Sequence, residues 1–135
     1  MAVVGFNFTK LLAEKNEDVK GKISISNNVS IKNVEEAKLN LGKSDQSGLK
    51  FAFEFTSKYE PKAGNILIEG NLLFVGEQKE VKEVMTSWKK DKKIPEKILQ
   101  GVLEVVLNKC NIEALILSRD INIPSPVPLP KVEVK

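Results

Sequence analysis

From Val4 to Phe74 the apolar residues of this chain tend to recur at every second position, and from Val81 onward they recur at every third or fourth. A period of two belongs to strands with one buried face, and a period near 3.6 to helices with a buried stripe. One change of period therefore predicts an α+β fold with the sheet first and the helices after it. The alternation is sharpest in Phe51, Phe53, Phe55 and Tyr59, with Lys50, Glu54, Thr56 and Lys58 on the other parity. Ile66, Ile68, Leu72 and Phe74 repeat it after Glu60-Pro61-Lys62-Ala63-Gly64, so residues 49–59 and 65–75 are predicted to form an antiparallel hairpin.

Weaker alternation places further strands at Val4, Phe6 and Phe8, at Ile23, Ile25, Val29 and Ile31, and at Ala37, Leu39 and Leu41. Residues 14–22 read as a loop, Asn27-Asn28 as a turn or a bulge, and Gly70 as a bulge or a close packing contact. The expectation is an antiparallel sheet of four to five strands over about residues 3–75. Beyond it, Val81, Val84, Met85 and Trp88 stand at i, i+3, i+4 and i+7, one stripe of a first helix. The lysines of residues 89–93 suit its C-terminal end, where the helix dipole favours cations.

Pro95 suits the first turn of a second helix, whose apolar stripe comprises Ile98, Leu99, Val102, Leu103, Val106, Leu107 and Cys110. It continues through Ile112, Leu115, Ile116 and Leu117, with room for a break near Asn111. Unbroken over residues 95–118, this helix is about 36 Å long at 1.5 Å per residue. Its apolar circumference exceeds what one sheet face needs, leaving part of it for a second subunit. The helices thus occupy about residues 78–118.

Residues 121–132 follow, with Pro124, Pro126, Pro128 and Pro130 alternating with Ser125, Val127 and Leu129. Proline at every second position excludes helix and a central strand. The aliphatics among the prolines point to an extended arm, packed on its own domain or docked on a partner, with Trp88 a candidate to receive it. The 135 residues fit a single domain.

Histidine, the commonest general base, is absent, and Cys110 is the only cysteine. Neither a zinc cluster nor a disulfide can be assembled within the chain. No phosphate loop, dinucleotide fingerprint or nucleophile elbow occurs. Glu35, Glu36, Glu77 and Glu80 lie among lysines and read as a solvated surface. The expectation is a protein without catalytic residues, metal or cofactor. Cys110 reads as buried filler, and unpaired it points to a reducing, cytoplasmic location. The opening Met1-Ala2-Val3-Val4-Gly5-Phe6 is too short for a signal peptide, and no run reaches the roughly 18 apolar residues of a membrane span.

Three features could bind. Lys79, Lys82, Lys89, Lys90, Lys92 and Lys93 form a basic cluster, partly neutralised by Glu77, Glu80, Glu83 and Asp91. It is a solubilising face, or it contacts an anionic partner through Lys89, Lys90, Lys92 and Lys93. Arg119 is the sole arginine among 21 basic residues, and lysine reads bases less well than arginine does. Phe51, Phe53 and Phe55 are core beneath the helices, or the floor of a groove for apolar side chains. The Pro-rich arm closes its own domain, or lines that groove through Pro124, Val127 and Leu129.

This order of elements resembles the SecB family of export chaperones: a strand-rich half, a helical region with a long helix, then an apolar Pro-containing segment. That segment here is Ile123-Pro124-Ser125-Pro126-Val127-Pro128-Leu129-Pro130, and Phe6-Asn7-Phe8-Thr9-Lys10 is loosely similar to the family's first strand. The resemblance implies a four-stranded antiparallel sheet with helices on one face, assembly into dimers or a dimer of dimers, and apolar grooves holding non-native polypeptide. In that picture Pro124, Val127 and Leu129 help cover or line a groove, and with Phe51, Phe53, Phe55 and Trp88 they make up the candidate groove residues. The family's members are typically acidic, whereas this chain carries +3 with 6% aromatic residues, so interaction with an export ATPase is not carried over. The alternatives are an accessory protein binding RNA or the ribosome through the lysine cluster, and an antitoxin-like or scaffold role in which one specific protein partner covers the same grooves.

Overall fold

The computed structural model describes residues 2–16, 21–37 and 46–128. Four strands, β1 (Ala2–Lys15), β2 (Ser24–Ala37), β3 (Gln46–Glu60) and β4 (Gly64–Glu77), precede helices α1 (Gln78–Asp91) and α2 (Glu96–Asp120). The strands form one antiparallel sheet in the order β1-β4-β3-β2. Three consecutive strands pair as hairpin neighbours and the first closes beside the last, a Greek-key order.

The period-two pattern sets the sheet's covered face. Leu49, Phe51, Phe53, Phe55 and Tyr59 of β3 and Ile66, Ile68, Leu72 and Phe74 of β4 are all buried. Their alternates Lys50, Glu54, Thr56 and Lys58 point the other way, away from the helices. Each such aromatic or aliphatic chain removed from water contributes roughly 1.5–3 kcal/mol, so these two central strands carry much of the fold's stability. α1 lies over β2, β3 and β4 and seals them with Val81, Val84 and Trp88, while α2 packs along β4 with Val102, Val106, Cys110 and Ala114.

Irregularity is confined to the edges. β3 and β4 pair without a register shift, but β1 carries bulges at Val4 and Thr9 and β2 one at Lys32. Bulges twist an edge away from unwanted pairing, which the central strands do not need. They also re-phase the alternation. Val3, Phe6, Phe8 and Leu11 fall on the face that carries the helices, where Val3 and Leu11 stay exposed, and Val34 replaces Asn33 opposite Phe51.

Several expectations are corrected. The loop expected over residues 14–22 begins later, because β1 runs to Lys15 before Asn16 donates its backbone N–H to the Ala63 carbonyl at 3.0 Å. Asn27-Asn28 is neither turn nor bulge but continuous strand opposite Ser57 and Thr56. α2 passes Asn111 without a break and extends to Asp120. Pro95 stands one position earlier than the first turn, at the N-cap, where its carbonyl accepts the N–H groups of Ile98 (3.0 Å) and Leu99 (2.9 Å). The sheet has four strands among the described residues; Leu39 and Leu41 lie outside them. No helix of the described residues is long and apolar enough to cross a membrane.

Candidate functional site

Strand β2 is an edge strand, and among the described residues no strand pairs with the outer side of its backbone. Beside Val29, Ser30 and Ile31 of that strand opens a pocket of about 420 Å³. Its other walls are Trp88 from the last turn of α1, Lys92, Lys93 and Ile94 from the link, and Leu99 and Leu103 from α2. Local sequence explains each placement. Trp88 falls on the buried stripe of α1 begun by Val81 and Val84. Leu99 and Leu103, four residues apart, face the same side of their helix. The volume lies within the 300–1,000 Å³ range, roughly, of ligand pockets, and the mix of apolar floor and few polar groups matches their usual lining.

The link is short because α1 ends on a left-handed residue. Lys92 has φ 58° and ψ 32°, and its N–H donates to the Trp88 carbonyl at 2.9 Å. Its ammonium stands 5.3 Å from the centroid of the Trp88 ring, within cation–π range. Residues 89–97 hold five lysines against Asp91 and Glu96, a net +3 that equals the charge of the entire chain. The remaining residues balance in sum, and of this run Lys92 and Lys93 line the pocket.

Trp88, Lys92 and Lys93, assigned from sequence to separate features, thus belong to one site. Lys89 and Lys90 are exposed on the last turn of α1 at the same end. Phe51, Phe53 and Phe55 do not form a groove floor. They are 0%, 2% and 1% exposed, because the helices lie directly on them. Phe53 also stacks on Phe6 at 5.2 Å between centroids, which closes the sheet toward β1.

The Pro-rich arm goes elsewhere too. Its described part folds back over the end of the sheet, where the Tyr59 hydroxyl donates to the Pro124 carbonyl at 2.6 Å and the Asn27 side-chain amide donates to that of Pro126 at 2.7 Å. Asn27 in turn accepts from the buried Ser57 hydroxyl at 2.6 Å. Pro126 is buried and Val127 half-buried, and neither Pro124 nor Val127 lines the Trp88 pocket. Pro124 borders a smaller cavity of about 140 Å³ with Tyr59, Ile23 and Ile123. Leu129 lies outside the described residues.

Sequence reasoning passed over Val29, Ile31, Leu99 and Leu103 as pocket walls, since each also fits a core stripe, and Ile94, which stands between the helices. It also passed over the polar anchor of the arm. The signal was present: Ser57 breaks the parity of Phe51, Phe53, Phe55 and Tyr59, Asn27 breaks that of Ile25, Val29 and Ile31, and the two are cross-strand partners. Among the described residues no group of three carboxylate or thiol side chains gathers to hold a metal ion. No family model, curated protein or solved structure matches the chain.

Proposed function

We propose that this is a non-enzymatic, SecB-like polypeptide-binding protein of the cytoplasm that holds non-native chain segments. The observation that supports it best is the open apolar pocket between Trp88, Leu99, Leu103 and the edge strand β2. Beside Val29, Ser30 and Ile31, before the bulge at Lys32, an extended segment laid along that edge gains main-chain hydrogen bonds from β2 and buries alternate side chains in the pocket, the usual mode of strand addition. Neither needs a particular client sequence, as a holding protein requires.

We propose further that the protein works as a homo-oligomer. Leu11 and Val4 on β1 are 45% and 57% exposed, and Ile112 and Ile116 on α2 are 59% and 37% exposed. The two elements meet where Lys109 of α2 reaches over the Phe6 ring of β1 at 5.9 Å. A second copy seated along β1 and this side of α2 covers all four.

The test is light scattering of a chemically unfolded client diluted with and without the protein. Slower aggregation at near-stoichiometric ratio is the expected result. No slowing in excess, together with no binding of any unfolded chain, ends the proposal. The lysines of residues 89–97 favour one second reading, an RNA-associated role. It requires binding that weakens steeply with salt and on neutralising Lys89, Lys90, Lys92 and Lys93.

A further inference from the structure

Lys92 occupies a backbone position that does not favour lysine. The residue that ends a helix in the left-handed conformation is most often glycine, because an L side chain is strained there. At φ 58° this chain accepts the strain and keeps a lysine whose ammonium lies over Trp88, inside the pocket wall. Lys93 lines the same pocket, and the surrounding residues 89–97 carry all of the chain's net positive charge. The helix dipole accounts for a cation at the end of α1, but not for its seating over Trp88 in the pocket wall. Strain retained at a binding site points to a role for the side chain that causes it.

We infer that the Trp88 pocket selects unfolded segments in which an aliphatic or aromatic residue is flanked by acidic side chains. The apolar chain seats on Trp88, Leu99 and Leu103, and the flanking carboxylates pair with Lys92 and Lys93. The inference rests on the polypeptide-binding reading and specifies its substrate class. Pairing within about a Debye length, ~8–10 Å at ordinary salt, makes the preference sensitive to ionic strength. Basic segments are repelled by the same lysines, so selectivity has both an attractive and a repulsive part.

Trp88 is the sole tryptophan, so intrinsic fluorescence reports occupancy of this pocket directly. Three tryptophan-free peptides sharing a central Leu-Phe and differing only in Asp/Glu, Asn/Gln or Lys/Arg flanks are titrated at low and high salt. The expected order is acidic, neutral, basic, with roughly tenfold between the first two at low salt, an energy difference of about 1.4 kcal/mol, narrowing at high salt. Lys92→Gly should keep or raise the melting temperature, since glycine suits the left-handed position, while reducing the acidic preference severalfold. Lys93→Gln should reduce it without touching that backbone position. Equal binding of all three peptides, or a preference that survives both substitutions, overturns the selectivity and leaves polypeptide binding standing. If no peptide binds but client aggregation is still slowed, the pocket is not the site and the inference falls. If no peptide binds and aggregation proceeds unchanged, both readings fall together. A single-stranded oligoribonucleotide that displaces the acidic peptide and binds more tightly than it also overturns the inference, in favour of nucleic acid.

Discussion

Gly70 sits where β1 and β4 come closest to Phe53. A Cβ there would stand 2.3 Å from the Asn7 carbonyl oxygen and 2.7 Å from the Phe53 ring. Backbone cannot yield that much, so Gly70→Ala should destabilise the protein by about 1–3 kcal/mol, the usual cost of overpacking. A urea midpoint unchanged by this substitution would show that β1 is not held against β4 as described. Cys110 illustrates the opposite situation, a chemically capable group made inert by its surroundings. Burial, and next the Glu113 carboxylate, push its thiol up to about 12 from 9.0. The thiol should resist alkylation in the native protein and react at once on unfolding. Because the folded pKa is raised, the native state holds its proton while the unfolded state loses it. Stability should fall as pH rises from about 9 towards 12, and Cys110→Ala should flatten that slope in denaturation curves taken across the range. Tyr59, also pushed up chiefly by burial, acts in the same direction and loses its donation to Pro124 when it ionises.

At the scale of elements, the arm after α2 is tied to the sheet by a few polar contacts whose strengths differ for a physical reason. Tyr59→Phe removes one hydrogen bond to the carbonyl of Pro124, an exposed residue that water can reach, and should cost about 1 kcal/mol. Asn27→Ala removes the acceptor of the fully buried Ser57 hydroxyl and the donor to Pro126 together, and should cost more, about 2 kcal/mol. Chemical denaturation orders the two, and faster amide exchange around residues 121–128 in both shows that the arm has loosened; the reverse order would mean that Ser57 finds another acceptor. α2 offers a second check. Gly101 lies in the helix interior with nothing within 4 Å of where its Cβ would be. Gly101→Ala should therefore stabilise the fold by about 1 kcal/mol from helix propensity alone. A loss instead would reveal a second copy packed closely on that side.

For the whole molecule, the proposed assembly makes a prediction of its own. Leu11→Lys with Ile112→Lys places charges on exposed surface that the monomer does not bury, so the melting temperature should shift little while the sedimenting species falls to monomer. If the wild type sediments as a monomer at high concentration, the oligomer proposal fails. The same surface shows how far the residues alone could be read. Period and punctuation were enough to lay out the strands, both helices and the hairpin over residues 49–75, because side-chain direction follows from local backbone geometry. Strand alternation likewise marked Phe51, Phe53 and Phe55 as sharing one face. Whether that face was floor or core depended on where α1 and α2 settled, and no local pattern encodes a contact between residues forty apart. The seating of Trp88, Leu99 and Leu103 against Val29 and Ile31 of β2 is of the same kind. The residues alone carried the type and order of the elements and the absence of histidine. Which apolar residues stay accessible was settled by the packing of the helices on the sheet, because burial is a property of the elements that cover a residue and not of the residue itself.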